Sequence, residues 1–268
     1  MAHVHRATVN GRVVRYFEAG SGRPLLLIHA FPYNAEMWRP QLAQVPDGWR
    51  FVAPDLRGFG GTLDEGTPAL TLDDHADDLL GFLDALEIDS PVVGGLSMGG
   101  YITFALFRRA PDRLSGMVLA DTRPQVDSPD GRRGRQALLD LLHSRGVGAV
   151  ADDLLGKQLG QTTLRERPEV AAEVRRLIES SSPRAIEAAV TALLSRPDST
   201  PDLARIRCPT LVIVGAEDTI TPPADAEAMY LALGSVLVVI PGAGHVSNLE
   251  APGAFNAALA AWCGRAAS

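Results

Sequence analysis

Short, unbroken runs of apolar residues recur along this chain of 268 residues, and stretches with the apolar spacing of amphipathic helices separate them. Unbroken runs are typical of strands buried on both faces of a parallel sheet, whereas a half-exposed strand alternates apolar with polar residues. The runs are residues 25–28, 51–53, 92–93, 117–119, 211–214 and 236–240. Such strands in alternation with helices predict an α/β fold, in which helices flank a mostly parallel central sheet.

Two local patterns in the first third of the chain add detail to this prediction. Residues 7–18 alternate in polarity around Asn10-Gly11, a dipeptide that predicts a tight β-hairpin. Residues 71–86 have an apolar stripe at helical spacing, with Thr71 as the expected N-cap. The aspartates outside the stripe are Asp73, Asp74, Asp77 and Asp78. We interpret them as a solvated helix face that suits the helix dipole, and not as a cation site.

Residues 123–202 interrupt the alternation of strands and helices. They contain no convincing strand, and residues 197–201 have the composition of a linker that returns to the sheet. Amphipathic helices are predicted near residues 132–143, 147–159, 168–179 and 183–194. We therefore predict a core domain formed by residues 1–122 and 203–268, with residues 123–202 inserted between two of its strands as a helical cap.

Charge and composition limit the partners of this chain. Lys and Arg number 25 against 32 Asp and Glu, a formal net charge of −7. An acidic surface argues against nucleic acids and anionic membranes as partners, because both require a basic surface. The apolar runs are too short to span a membrane, and the first residues do not resemble a signal peptide. With only Cys208 and Cys263, expected to be reduced thiols, the chain is predicted to be cytoplasmic. We expect a monomer or a small homo-oligomer.

The motif with the clearest chemical meaning is residues 95–100 (GLSMGG). It directly follows a buried-strand pattern and directly precedes a helical run, so Ser97 is predicted to occupy a sharp strand-to-helix turn. Glycines two residues before and two residues after the serine remove side chains that would collide in such a turn. The turn exposes the hydroxyl next to a helix N-terminus, whose free N–H groups suit a developing oxyanion. We predict that Ser97 is a nucleophile.

A serine nucleophile needs a base within hydrogen-bond reach. His245 is the best candidate, because it follows the strand pattern that ends at Ile240. Its loop, residues 241–245 (PGAGH), is small enough to let the imidazole reach over the sheet edge. Four other histidines are less suitable. Two lie near the N-terminus, which we expect to be frayed, and two lie in predicted helices, where we expect them to be exposed or packed. The four are His3, His5, His75 and His143.

A third group must orient the base and stabilise its imidazolium form. Asp218 follows the strand pattern of residues 211–214 and gives the chain order Ser, Asp, His that is expected for this fold. Two alternatives stay open. Glu217 is adjacent to Asp218 but out of register by one residue, and Asp121 ends the preceding strand and could reach the same histidine.

Two backbone amides are predicted to bind the oxyanion, those of Met98 and Phe31. The second lies in the loop after the first buried strand, residues 29–32 (HAFP). In that loop we interpret His29 as a buried residue that braces the chain rather than as a second base. Candidates for the substrate pocket are Phe31 and Trp38, for which core packing is an equal alternative, and by helical periodicity Leu154, Leu155 and Leu159.

With these motifs the chain resembles the α/β-hydrolase family over nearly its whole length. Residues 29–32 are similar to the family's His-Gly-Phe-Pro oxyanion loop, with Ala30 where glycine is usual. Residues 55–62 (DLRGFGGT) are similar to its structural Asp-x-Arg-Gly-x-Gly-x-Ser turn. The family's acid and histidine regions are matched by Asp218, Gly244-His245, Glu250 and Pro252.

Within the family, the resemblance is to small bacterial carboxylesterases and 3-oxoadipate enol-lactonases. Residues 95–101 (GLSMGGY) and 120–123 (ADTR), which lead to residues 127–129 (DSP), carry this likeness. The resemblance implies that the helical insertion is the family's cap, which roofs the pocket and selects substrates. The serine at position 97 argues against haloalkane dehalogenases and epoxide hydrolases, since those branches need a carboxylate there.

The residues and the resemblance together predict a serine carboxylesterase that acts on small-molecule esters of short acyl chain through an acyl-enzyme, with no metal and no organic cofactor. An enol-lactonase or other lactonase, or a cofactor-free perhydrolase, would use the same three residues and differ in pocket shape. Hydrolysis of a C–C bond in dienoic acids is a further alternative. A hydrolase-fold protein that binds a ligand without turnover belongs to a different class, and the intact set of reactive residues argues against it.

Overall fold

Eight strands form one sheet in the computed structural model, which describes residues 2–62, 68 and 71–266. They are β1 (His3–Val9), β2 (Arg12–Gly20), β3 (Arg23–Ile28), β4 (Trp49–Pro54), β5 (Val92–Leu96), β6 (Gly116–Ala120), β7 (Thr210–Gly215) and β8 (Val236–Ile240). Their order across the sheet is β1-β2-β4-β3-β5-β6-β7-β8. Strand β2 is antiparallel to β1 and β4, and all other neighbours are parallel. The predicted α/β fold with a mostly parallel sheet is confirmed.

Helices flank this sheet. In chain order they are α1 (Arg39–Leu42), α2 (Leu72–Ala85), α3 (Met98–Arg109), α4 (Pro129–Gln158), α5 (Gln161–Glu166), α6 (Pro168–Glu179), α7 (Pro183–Ser195), α8 (Thr200–Leu203), α9 (Pro223–Leu233), α10 (Ser247–Glu250) and α11 (Pro252–Ala266). Helices α2, α3 and α9 each follow a strand that the sequence predicted, whereas α4 to α8 all lie between β6 and β7. The alternation of strand and helix therefore extends over most of the chain.

The predicted apolar runs all lie within strands, and the central ones are buried as expected. Leu25 of β3, Val92 of β5 and Met117 of β6 are each 0% exposed. Strand β8 differs from the prediction, because it is the last strand of the sheet and has a neighbour on one side alone. Its residues 236–238 are half-buried and Val239 is 43% exposed. An unbroken apolar run does not distinguish an edge strand from a central one.

The predicted β-hairpin is present at the start of the chain. Asn10 and Gly11 both have positive φ, 51° and 79°, as a two-residue hairpin turn requires. The expectation that His3 and His5 are frayed is wrong. Both lie in β1 and pair with β2, and the ring of His5 stacks on Tyr16 at 5.2 Å. Pairing with a strand orders a terminus that sequence position alone would leave free.

Helix α2 begins as predicted at Thr71. The Thr71 hydroxyl accepts from the Asp74 amide at 3.0 Å, and the Asp74 carboxylate accepts from the Thr71 amide at 2.9 Å, a reciprocal capping box. The other three aspartates pair with arginines: Asp73 with Arg108, Asp77 with Arg109 and Asp78 with Arg57. The acidic face is thus a surface of ion pairs.

Five helices, α4 to α8, lie between β6 and β7, where the sequence predicted a helical insertion. Helix α4 contains a break at Gly146 (φ 76°, ψ −174°), a conformation that glycine alone adopts readily. We call residues 129–145 its first arm and residues 147–158 its second arm; they correspond to the first two predicted helices. The predicted linker of residues 197–201 instead overlaps the short helix α8. The division into a core and a cap domain stays a prediction.

Three further observations concern the described part of the chain. None of its helices is both long enough and apolar enough to cross a membrane. No three of its His, Cys, Asp and Glu side chains are arranged to hold a metal ion. Cys208 and Cys263 are both free thiols, as expected; Cys208 is half-buried and Cys263 is buried.

Candidate active site

Parallel strands bring the predicted site residues to one edge of the sheet. Ser97 directly follows β5, Asp218 lies three residues after β7 and His245 lies five residues after β8. Phe31 lies three residues after β3. Because parallel strands have their carboxyl ends at the same edge, residues far apart in sequence become neighbours there.

Ser97 occupies the predicted turn between β5 and α3. Its backbone conformation, φ 53° and ψ −110°, is unfavourable for any residue that has a side chain. A Cβ atom on Gly95 would lie 2.1 Å from the carbonyl carbon of Gly99, and one on Gly99 would lie 2.2 Å from the carbonyl oxygen of Ile28. The two glycines are therefore required by close backbone contacts, and together they make this strained turn sterically possible.

Three of the predicted residues contact each other in a line. Ser97 Oγ lies 2.8 Å from His245 Nε2, and His245 Nδ1 lies 2.8 Å from Asp218 Oδ2. A carboxylate can only accept, so Nδ1 carries the proton and Nε2 is left to accept from the serine hydroxyl. His245 and Asp218 are each 3% exposed, so their contact is shielded from water, whereas Ser97 is half-buried and faces a cavity. The arrangement is that of a nucleophile, a base and an orienting acid.

The Asp218 carboxylate is held by its own loop. Its Oδ1 accepts from the backbone amides of Ile220 at 2.8 Å and Thr221 at 3.0 Å. Its Oδ2 accepts from the Thr221 hydroxyl at 2.7 Å, beside the contact with His245. These donors fix the orientation of the carboxylate independently of the imidazole.

The two ionisable partners shift each other's pKa in opposite directions. Burial lowers the pKa of His245, but the negative charge of Asp218 and its hydrogen bond more than offset this, so the pKa lies above its ordinary value of 6.5. Burial raises the pKa of Asp218, but His245 and the hydrogen bonds from Thr221 together more than offset that effect, so this pKa lies below its ordinary value. The pair therefore favours a charged carboxylate beside an imidazole that readily takes a proton.

The two alternative acids contact other groups. Asp121 is 0% exposed; its Oδ1 accepts from the Gly215 amide at 2.8 Å and its Oδ2 from the Ser247 amide and hydroxyl at 3.1 and 2.6 Å. Burial and the nearby charge of Asp218 raise the pKa of Asp121 well above its ordinary value. Glu217 instead accepts from the amide of Thr162 at 2.8 Å, at the start of α5. Asp218 is thus the acid that contacts His245.

A buried carboxylate, Glu250, holds the loop that carries the histidine. Its Oε1 accepts from the amides of Gly244 at 2.8 Å and Val246 at 3.2 Å, the two residues that flank His245. Its Oε2 accepts from the amide of Gly160 at 2.8 Å. The sequence identified Glu250 only through the family resemblance, and three backbone amides give the physical reason for a carboxylate at this position.

Glu250→Gln is expected to destabilise the protein by about 2 kcal/mol, because one carboxylate oxygen becomes an amide donor that faces backbone N–H groups in a buried site. Urea denaturation followed by circular dichroism measures the free energy of unfolding. Glu217→Gln is the matched control and should cost less, because Glu217 is partly exposed. Equal losses in the two variants would contradict a special role for Glu250.

His29 braces the loop after β3, as predicted. Its Nε2 accepts from the Leu56 amide at 3.0 Å, so Nδ1 carries the proton and donates to the Ala30 carbonyl at 3.0 Å. Burial lowers the pKa of His29 to about 4, which keeps the ring neutral. Ala30, where the family usually has glycine, does not have a positive φ, so its side chain causes no strain.

A cavity of about 200 Å³ lies directly above Ser97 and His245. Phe31 and Met98, whose amides were predicted to bind the oxyanion, line it beside the serine. Met98 is the first residue of α3, so its N–H has no partner within the helix. The remaining wall includes Tyr101, Leu138, Leu154, Gln158, Leu193 and Ile220.

Three of the candidate pocket residues, Trp38, Leu155 and Leu159, do not line the cavity. Trp38 is 1% exposed and packs in the core, with its ring centroid 6.0 Å from that of Phe255. Of the three leucines that periodicity offered, Leu154 lines the cavity, whereas Leu155 packs against the hydrophobic core and Leu159 is buried in it. Consecutive helical residues point about 100° apart, so neighbours such as Leu154 and Leu155 lie on different faces of the helix. Gln158 lines the cavity, but nothing in the sequence indicated this position. A glutamine in an amphipathic helix is typical of an exposed surface.

The comparison with known proteins agrees with this architecture. A sequence model of the alpha/beta hydrolase fold family matches residues 23–252. The chain is similar to 3-oxoadipate enol-lactonase 2 of Acinetobacter baylyi (strain ATCC 33305 / BD413 / ADP1), 28% identical over 240 residues that cover 89% of this chain and 88% of that protein.

Two solved structures are also similar. A thermophilic esterase from Thermogutta terrifontis is 36% identical with a TM-score of 0.92, and the match covers 99% of this chain and 100% of that one. The enol-lactonase from Burkholderia xenovorans LB400 is 27% identical with a TM-score of 0.87, covering 97% and 100%. Esterases and enol-lactonases are therefore both among the similar proteins.

Proposed function

Because this chain belongs to the alpha/beta hydrolase fold family, we propose that it is a serine hydrolase that cleaves carboxylic esters of short acyl chain. The observation that carries the proposal is the continuous contact from Ser97 Oγ through His245 to Asp218, 2.8 Å at each step. The cavity above the serine supports a small substrate, because about 200 Å³ leaves little room for a long lipid chain.

In the first half of the proposed reaction, Ser97 attacks the ester carbonyl carbon. His245 Nε2 removes the hydroxyl proton as the bond forms, and Asp218 stabilises the resulting imidazolium. The negative charge that develops on the carbonyl oxygen is bound by the amides of Met98 and Phe31. One such donor is worth about 10² to 10³ in kcat. The alcohol then leaves with the proton from His245, and the acyl group remains on Ser97.

In the second half, a water molecule attacks the acyl-enzyme. His245 again takes the proton, and the carboxylic acid leaves as Ser97 recovers its own proton. The same three side chains serve both halves. Every step is a proton transfer or an acyl transfer, so the scheme requires no redox or electron-transfer step.

The direct test measures release of p-nitrophenol from acetate, butyrate and octanoate esters. We expect turnover of all three substrates to decrease with chain length, with kcat/KM for octanoate below that for butyrate. A p-nitrophenyl alkylphosphonate should add one phosphonyl group at Ser97, which intact mass and peptide mapping detect. If neither turnover nor labelling occurs, the proposal is wrong.

A lactone substrate is the second candidate, and the likeness to the two enol-lactonases favours it. In that reaction the leaving alcohol, or enol, stays attached to the acyl group, so the same serine chemistry opens a ring. Assays with a γ-lactone and with an enol-lactone, beside the open-chain esters, distinguish the two. A kcat/KM for a lactone that exceeds that for p-nitrophenyl butyrate by 10-fold or more would favour the lactonase.

The acid limb of the pH profile should follow His245. The imidazole must be neutral to accept the proton from Ser97, and Asp218 holds its pKa above 6.5. We therefore expect kcat/KM to fall as the pH decreases through a value above 6.5, with a slope of one proton. The measurement is kcat/KM for p-nitrophenyl butyrate between pH 5 and pH 9, the free-enzyme profile. An inflection well below pH 6.5 would contradict the assigned pair.

A further inference from the structure

Gln158, the last residue of α4, contacts both loops that flank the reacting serine. Its side-chain Nε2 donates to the carbonyl oxygen of Phe31 at 3.3 Å. Its backbone carbonyl accepts from the amide of His245 at 2.7 Å. The residue that supplies the proposed oxyanion amide and the residue that supplies the base are therefore held by one glutamine from the helical insertion.

The orientation of the Gln158 amide follows from its partners. The Phe31 carbonyl can only accept, so the side-chain nitrogen must face it, and the side-chain oxygen then faces the hydroxyl of Tyr33, which donates to it. Burial raises the pKa of Tyr33, so this hydroxyl keeps its proton. Gln158 is 4% exposed and Tyr33 is 0% exposed, so the side chain has a fixed place with both of its polar atoms engaged.

The segment that Gln158 holds is the one that must be placed well for catalysis. Phe31 lies between the peptide whose N–H is proposed to bind the oxyanion and the peptide whose carbonyl bonds to Gln158. The neighbouring carbonyls have their own donors, Tyr33 N–H to Ala30 and the Ser181 hydroxyl to Pro32. If the Phe31 carbonyl loses its donor, Phe31 itself loses the side-chain hydrogen bond that fixes its place. An oxyanion donor acts only at about 2.7–3.1 Å from the developing charge, and a misplacement of about 1 Å costs as much as 10² in rate.

We propose that Gln158 is a positioning residue for the oxyanion site: its side-chain N–H, donated to the Phe31 carbonyl, sets the place of the Phe31 amide relative to Ser97. This inference rests on the proposed function. It assigns the helical insertion a part in the chemistry, in addition to enclosing the substrate.

Gln158→Glu tests this assignment, because a glutamate keeps the shape and can donate to the Phe31 carbonyl only while it is protonated. In a buried site a carboxyl group has a raised pKa. The ionisable groups around it are Tyr33, His245 and Glu250, and Arg135, Asp153 and Lys157 line the same cavity. Lys157 pairs with Asp153 and Arg135 pairs with Asp127, so each cation has a carboxylate partner. The charge of Glu250 favours the protonated form further. We expect the ratio of kcat/KM for Gln158→Glu to that of the wild type to fall by about 10-fold or more as the pH rises from 6 to 9.

Gln41→Glu is the matched control. Gln41 is also a buried glutamine, 0% exposed, and its Nε2 donates to the Asn248 carbonyl at 3.2 Å and to the Asn256 side-chain oxygen at 3.0 Å. It does not line the cavity. A charge introduced there destabilises the fold as the pH rises but leaves the oxyanion loop in place. The ratio of kcat/KM to the wild type should stay constant with pH while circular dichroism shows the variant folded.

A second variant separates positioning from substrate binding. Gln158→Leu removes the donor at every pH, so we expect kcat to fall by about 10- to 100-fold at constant pH dependence, with KM within about 3-fold. The rate of phosphonate labelling at Ser97 should fall in parallel, because that reaction also builds negative charge on an oxygen beside the serine.

The outcomes are distinct. Wild-type turnover or labelling reports on the proposed function, and the two ratios report on Gln158. If the wild type is active and Gln158→Glu shows the same pH profile as Gln41→Glu, the positioning role is wrong while the esterase stands. If Gln158→Leu raises KM and leaves kcat unchanged, the side chain binds substrate and positions nothing. If the wild type shows neither turnover nor labelling, both proposals are overturned.

Discussion

Ser97→Ala and His245→Ala should each lower kcat for p-nitrophenyl butyrate by about 10⁴- to 10⁶-fold, the largest effect expected of any substitution in this chain. The two side chains are 2.8 Å apart, and under the proposed function they act as one reacting unit in which each is ineffective without the other. The double variant should therefore be about as slow as either single variant, and not slower by the product of the two losses.

The measurement for these variants is single-turnover and steady-state release of p-nitrophenol at pH 8, with circular dichroism to verify folding. Ser115→Ala is the control, since Ser115 follows α3 at the opposite end of β6 and its substitution should leave kcat unchanged. A Ser97→Ala variant that retains more than about 1% of the wild-type kcat would exclude Ser97 as the nucleophile.

Asp218→Asn should lower kcat by about 10³- to 10⁴-fold, whereas Asp121→Asn should change it by less than about 10-fold. In Asp218→Asn the amide nitrogen faces His245 Nδ1 and donates to it. The imidazole must then carry its proton on Nε2, the tautomer that cannot accept from Ser97. Asp121 is held by Gly215 and Ser247 and does not contact the imidazole.

These two aspartates form a matched pair, since both are buried and both follow a strand of the same sheet. Steady-state kinetics at several pH values, together with urea denaturation, separates a loss of chemistry from a loss of stability. Asp121→Asn is expected to cost stability, because the new amide group faces the Ser247 amide. If Asp121→Asn is the slower variant, the acid has been assigned to the wrong residue.

The sequence could predict which residues gather at the site because the sheet is parallel. Ser97 and His245 each follow a buried apolar run, and every such run ends at the same edge. The choice among Asp218, Asp121 and Glu217 needed the structure. It depends on the loop after β7, where the amide and hydroxyl of Thr221 turn the Asp218 carboxylate toward the imidazole.

Contacts between distant parts of the chain were beyond sequence reasoning. Gln158 reaches Phe31 across 127 positions, and Glu250 reaches Gly160 across 90. Polar residues of this kind look like ordinary surface residues in a helical pattern, since periodicity describes one element and not its neighbours. For Trp38 the sequence leaves pocket and core as equal alternatives, because a large aromatic side chain near the site fits both, and the structure places it in the core.

The break at Gly146 divides α4 into parts with unequal freedom to evolve. The first arm supplies Leu138 and Arg135 to the cavity wall, and Arg135 also pairs with the buried Asp127. The second arm ends in Gln158. Mutagenesis libraries confined to the first arm should therefore alter which esters are accepted while the reaction itself survives. Libraries in the last turn of the second arm should yield mostly inactive clones. There Gln158 both lines the substrate cavity and, as we propose, positions the oxyanion loop.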